Sequence, residues 1–138
     1  MDIKLPSIKD QQEYVIREGN KRAIEQLKKN EKAQEISPVT EINESEYCNS
    51  HLLLKEQGWK APEADLVAAY FRHFREYFPE YNTDKRLAIL LGLSSDRRVR
   101  EFKSGSMKVP YEIWRKFLVM TGRVPQEIIE VIAIVPRK

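Results

Sequence analysis

Residues 85–105 read Lys85-Arg86-Leu87-Ala88-Ile89-Leu90-Leu91-Gly92-Leu93-Ser94-Ser95-Asp96-Arg97-Arg98-Val99-Arg100-Glu101-Phe102-Lys103-Ser104-Gly105. Two helices crossing near a right angle need a small residue where they touch, a turn residue tolerant of positive φ, and apolar positions on both inner faces. Ala88, Gly92 and the set Leu87, Leu91, Leu93, Val99 and Phe102 supply these. With Val99 and Phe102 turned inward, the 3.6-residue period turns Arg97, Arg98, Arg100 and Glu101 outward. The stretch predicts a helix-turn-helix over residues 84–104.

Working outward, Thr83 or Asp84 suits the cap of the first helix and Ser94 or Ser95 that of the second, which Ser104-Gly105-Ser106 breaks. Upstream, Leu66, Val67, Tyr70, Phe71, Phe74, Tyr77 and Phe78 recur at spacings of three and four, predicting a core helix from Pro62 to Pro79. Downstream, Pro110 opens a helix carrying Trp114, Phe117 and Leu118, stopped at Thr121-Gly122. A last helix is expected from Pro125, carrying Ile128, Ile129 and Val131 before Pro136. No stretch alternates at period two long enough to predict a strand. The expectation is a compact all-α, five-helix domain over residues 61–138.

Residues 9–35 read as a polar helix with a thin apolar stripe at Ile16, Ala23, Ile24 and Leu27, interrupted by Gly19. Such a helix buries too little to offset its ordering entropy, so it is expected to dock on a partner or on the carboxy-terminal domain. Ser37-Pro38 ends it, because the residue before proline is pushed out of the α region. The acidic stretch Glu41 to Glu46 is expected as a linker, and residues 45–57 as a short helix closed by Gly58. The chain thereby divides into 1–60, an amino-terminal helix and linker, and 61–138, the helix-turn-helix domain.

The 138 residues suffice for one domain with an appendage. A 41% apolar fraction with 33% charged residues fits a helix-rich globular chain. Apolar runs such as Leu87 to Leu91 fall far short of the roughly 20 residues that span a bilayer. Met1-Asp2-Ile3-Lys4 does not open a secretory leader. A single cysteine, Cys48, makes no intramolecular disulfide and suits a reducing compartment. A cytoplasmic protein with no membrane partner is expected.

Cys48 and His51 have the spacing of one edge of a metal site, but a zinc site wants three or four protein ligands, and His73 is the only other histidine. A structural or surface role is the expectation for all three. The chain shows no glycine-rich phosphate loop and no serine elbow, and two histidines leave little acid–base material. No enzymatic activity, metal or cofactor is expected. The net charge of +3 is modest, but its distribution is uneven. Residues 1–60 hold ten Lys/Arg against eleven Asp/Glu, whereas 83–123 hold ten against four. That local excess is the footprint of a polyanion-binding face.

Leu87-Ala88, then Gly92-Leu93-Ser94 at the turn, then Val99 followed by an aromatic three residues later (Phe102) and a glycine three after that (Gly105), resemble the lambda-repressor and Cro-like family of helix-turn-helix DNA-binding proteins. The resemblance covers residues 62–132, and Val109-Pro110 is similar to the family's link into its fourth helix. One residue more separates Gly92 from Val99 than the family usually has, which implies a longer turn. The resemblance implies that the second motif helix enters the major groove and reads base edges near its amino-terminal end. Arg97 and Arg98 are then the first base readers, since a guanidinium donates two hydrogen bonds to guanine O6 and N7, with Ser94, Ser95 and Arg100 next. Lys85, Arg86, Lys103, Ser106, Lys108, Arg115 and Lys116 are expected on phosphates.

The implied activity is sequence-specific binding of double-stranded DNA by a transcriptional regulator, a repressor of a phage, mobile element or toxin–antitoxin operon. A homodimer on paired half-sites is implied, with its interface on the 9–35 helix or on the 125–134 helix through Ile128, Ile129, Val131 and Ile132. Two other readings stay open. One is an accessory DNA-binding protein that marks an origin or transfer site and recruits a protein partner through residues 9–35. The other is a protein-interaction module whose basic face is merely solvated. Trp114, Phe117, Tyr70, Phe71 and Phe74 read as core rather than as a base-stacking platform.

Overall fold

Leu66, Val67, Ala69, Tyr70, Phe71 and Phe74 recur at helical spacing, and in the computed structural model, which describes residues 4–138, all six are buried on the inner side of α2 (Ala64–Tyr77). Around α2 lie α3 (Asp84–Leu90), α4 (Asp96–Ser104) and α5 (Tyr111–Met120). They bring Leu87, Ala88 and Leu91, then Val99 and Phe102, then Trp114, Phe117 and Leu118 into one core. Trp114 stacks on Tyr70 with centroids 5.7 Å apart and on Phe117 at 5.5 Å, and Phe71 meets Phe117 edge-on at 5.1 Å. Such pairs add about 0.5–1.5 kcal/mol each beyond the area they bury. The architecture is all-helical, with no strand among the described residues.

The acidic stretch expected as a linker is instead part of the core unit. Val39 is buried, and Ile42, Tyr47, Leu52 and Trp59 pack against the same cluster. In place of one short helix, residues 45–57 fold as three 3-10 turns, Glu44–Glu46, Asn49–Leu52 and Lys55–Gln57. The acids have partners on α2. Glu41 forms a two-point ion pair with Arg72, and Glu44 accepts the Tyr70 hydroxyl. The Tyr47 hydroxyl donates to Asp65 at 2.5 Å, a bond that pushes the phenol up to about 12. The boundary expected between residues 60 and 61 therefore falls earlier, and the compact unit is Ile36–Glu127.

The other unit joins α1 (Ile8–Asn30), with the residues up to Glu35, to Ile128–Lys138. Ser7 caps α1 by accepting the Asp10 amide at 3.1 Å, while Lys28 and Lys29 face the negative end of the helix dipole. Gly19 does not break the helix, because its cost of about 1 kcal/mol is spread over 23 residues of otherwise ordinary propensity. No residue of α1 is buried. The helix expected from Pro125 is absent, since residues 125–138 carry no helix. Six of the eight residues from Ile128 to Val135 are β-branched, which crowds the preceding helical turn, and no core face rewards helix formation. Gln12 ties this segment to α1, donating to the Val135 carbonyl at 2.7 Å and accepting the Arg137 amide at 3.1 Å.

At the centre of the core unit the indole N–H of Trp114 is buried and donates to Nδ1 of His51 at 3.1 Å. A second indole, Trp59, donates to the His51 carbonyl at 3.1 Å. An Nδ1 that accepts must be unprotonated, so His51 is neutral with its proton on Nε2. Burial lowers the His51 pKa, and Arg123 lowers it further, against an opposing pull from Glu44. Arg123 lies 4.0 Å over the Tyr70 ring, where burial depresses its own pKa.

Because the folded-state pKa of His51 lies below its unfolded value of about 6.5, the unfolded chain binds more protons and stability is lost as pH falls through that value. The urea midpoint is expected to drop between about pH 7.5 and about pH 5.5. His51→Asn, which keeps an acceptor but no titrating ring, should be less stable at the upper pH and show a flatter slope across this window. An unchanged slope would remove His51 as the cause.

Candidate nucleic-acid interface

Two short helices, α3 and α4, form over the expected span with a turn between them. Thr83 caps α3 by accepting the Arg86 amide at 3.1 Å. At the other end Gly92 takes φ +74°, and two bonds close the turn, Leu93 N–H to Ala88 O at 2.9 Å and Gly92 N–H to Ile89 O at 3.1 Å. This paired closure satisfies carbonyls that the helix end leaves orphaned and reverses the chain. Ser95 is the N-cap of α4 by its extended backbone, although its side chain makes no capping bond. Gly105 ends α4 at φ +84°, and a Cβ there would stand 3.0 Å from that of Ala64 on α2. The glycine thus serves both the left-handed turn and the close approach of two helices.

Val99 and Phe102 are sealed inside, and the period of α4 sets Arg97, Arg98 and Arg100 outside together with Ser94 and Ser95. Two of these arginines pair along their own helix. Arg97 Nε lies 2.8 Å from Glu101, and Arg100 Nη1 lies 3.0 Å from Asp96. The Arg97 side chain is 80% exposed, so its pair is worth only about 0.3–0.5 kcal/mol and yields readily to a better anion. Arg98 reaches Met107 Sδ at 3.5 Å, next to the exposed Lys108. Glu101 keeps a buried Oε2 with no partner.

The residues expected on phosphates divide. Lys85, Arg86, Ser106, Lys108 and Lys116 are exposed. Arg86 sits 3.4 Å from the Asn82 side chain, and Lys116 stands on the solvent side of α5. Lys103 and Arg115 are engaged inside the fold. Lys103 Nζ lies 2.8 Å from Asp84, which also holds Arg75 at 2.9 Å. Arg115 donates to the carbonyls of Leu52 and Pro125, both at 3.2 Å. Asp84 thus bolts the start of α3 to the end of α4 and to α2, across sequence separations of 19 and 9 residues that no local pattern reveals.

Cys48 and His51 do not form a metal edge. The exposed Cys48 thiol lies 2.9 Å from the Ser50 hydroxyl, which lowers its pKa, whereas His51 is buried against Trp114. No group of three His, Cys, Asp or Glu among the described residues is placed to hold a metal ion. No helix among them is long and apolar enough to cross a membrane. Comparison with protein-family models, curated proteins and solved structures returns no match to this chain.

Two tests follow from this geometry. Gly92→Ala meets open space and should lose about 1 kcal/mol to left-handed strain alone, whereas Gly105→Ala adds the Ala64 clash and should lose about 2–3 kcal/mol in urea denaturation. Asp84→Asn leaves two partly buried cations facing a neutral amide and should lose about 2 kcal/mol, against less than about 0.5 kcal/mol for Arg97→Ala.

Proposed function

We propose that the core unit binds duplex DNA, with α4 laid in the major groove and Arg97, Arg98 and Arg100 directed at bases. One observation supports this most: with Val99 and Phe102 buried, three guanidinium groups remain exposed on a short helix whose N-terminus follows two exposed serines. A guanidinium that meets guanine O6 and N7 discriminates by about 1–3 kcal/mol, far more than its present surface ion pair is worth. Lys85, Arg86, Lys108 and Lys116, with Ser106, then hold phosphates, which fixes register without reading sequence. Lys103 and Arg115 drop out of that set, since each is engaged within the protein.

The reading extends to a sequence-specific transcriptional repressor of the lambda-repressor and Cro-like kind, encoded by a phage, a mobile element or a toxin–antitoxin operon and acting in the cytoplasm. Two copies would occupy half-sites about one helical turn apart.

Selection from a random duplex pool should return a two-fold symmetric site. On that site Arg97→Ala with Arg98→Ala should reduce affinity by about tenfold to a hundredfold per lost base contact while sparing non-specific duplex. Lys108→Ala should weaken cognate and random duplex alike and reduce the salt slope by about one. A chain that ignores duplexes at low ionic strength would overturn the proposal, as would arginine variants that lose both kinds of binding equally.

A further inference from the structure

The three arginines of α4 are held at different nitrogens. Arg98 reaches Met107 Sδ and Arg100 reaches Asp96, each through Nη1 at the tip of its guanidinium. Arg97 is held on the stem side instead, where its Nε lies 2.8 Å from Glu101 Oε1. Among the described residues, both tip nitrogens of Arg97 are without a partner. The two members of the pair also differ in setting, the Arg97 side chain being 80% exposed and that of Glu101 20%. The anchor sits against the body of the protein while the tip stands in water.

For stability alone Glu101 is badly placed. Its Oε2 is buried with no hydrogen-bond partner. A carboxylate withdrawn from water needs bonds to each oxygen to offset its lost hydration, and a neutral side chain of similar size at that position avoids the cost. A local rule broken in this way, one helical turn from a proposed base reader, marks a constraint set by function.

We infer that Glu101 is a positioning residue that commits Arg97 to reading guanine, an assignment resting on the major-groove placement of α4 proposed above. Two physical effects combine. Contact at Nε restrains the stem but leaves Nη1 and Nη2 free, and these are parallel donors that match guanine O6 and N7. A side chain ordered before binding loses less entropy on binding. The carboxylate also sets a negative charge beside the guanidinium. A base edge takes the tip and leaves the pair standing, whereas a phosphate meets the repulsion of Glu101, so the pair selects against the non-specific contact as well as for the specific one. Arg98 and Arg100 must each release a tip nitrogen before making the same two-point contact.

The test is a set of titrations on duplexes in which each guanine of the selected site is replaced in turn. The wild-type chain should prefer guanine at one position by about tenfold or more, a preference that Arg97→Ala abolishes. Glu101→Gln keeps the shape and removes the charge. It should cut that preference by about threefold or more, strengthen binding to random duplex, and steepen the salt slope by about one as Arg97 turns to phosphate. Its urea midpoint should hold or rise, since a buried unpaired oxygen loses its charge. In an Arg97→Ala background Glu101→Gln should leave base preference unchanged, because the two residues act as one unit. A Glu101 that merely supports the fold gives the opposite pattern: a lower urea midpoint and weaker binding to cognate and random duplex alike, with or without Arg97. That pattern, or a guanine preference that Glu101→Gln does not move, overturns the inference and leaves DNA binding standing. A chain that binds no duplex at low ionic strength overturns the DNA reading and this assignment with it.

Discussion

The buried indole N–H of Trp114 sets the terms for the core unit. A donor removed from water and left without an acceptor costs about 1–3 kcal/mol, and the apolar partners of Trp114 on α2 and α5 offer none. His51 supplies the acceptor from outside the helical set, on a stretch of 3-10 turns. Once His51 is held there, Glu44, Tyr47 and Glu41 reach Tyr70, Asp65 and Arg72 on α2. The segment from Ile36 to Gly58 is thereby built into the domain.

Electrostatics sorts the cations that the linear sequence groups together. Asp84 takes Lys103 and Arg75, the carbonyls of Leu52 and Pro125 take Arg115, and the Tyr70 ring takes Arg123. These are partly buried pairs, whose loss would strand a charge in a low-dielectric setting. In the pairs of Arg97 with Glu101 and Arg100 with Asp96 the guanidinium groups face water, where attraction is weak. The charge left to meet an anion is therefore carried by α4, the start of α3, the loop around Lys108 and Lys116 on α5.

The two units answer opposite demands. Ile36–Glu127 closes its own core with aromatic side chains from α2 and α5, whereas α1 and Ile128–Val135 present apolar residues that nothing within their unit covers. A long helix with Gly19 at its middle and a run of β-branched residues tethered by one glutamine is poorly suited to stand alone in water.

The local chemistry of the chain was sufficient for α2 to α5, because their signals are short-range: apolar spacing over Leu66 to Phe74, Thr83 as a cap, Gly92 and Gly105 at positive φ, Pro110 before a helix. The outward row Arg97, Arg98 and Arg100 followed from the helical period once Val99 and Phe102 were assigned inward. The tertiary structure alone decided three other matters. It drew the acidic stretch into the core, because the partners of Glu41, Glu44 and His51 lie 26 to 63 residues away. It left Pro125–Val135 without a helix, because period-matched isoleucines form one only against a surface that buries them, and α1 does not. It also removed Lys103 and Arg115 from the exposed cations, since a charge is neutralised by what is near it in space, which the order of residues along the chain does not encode.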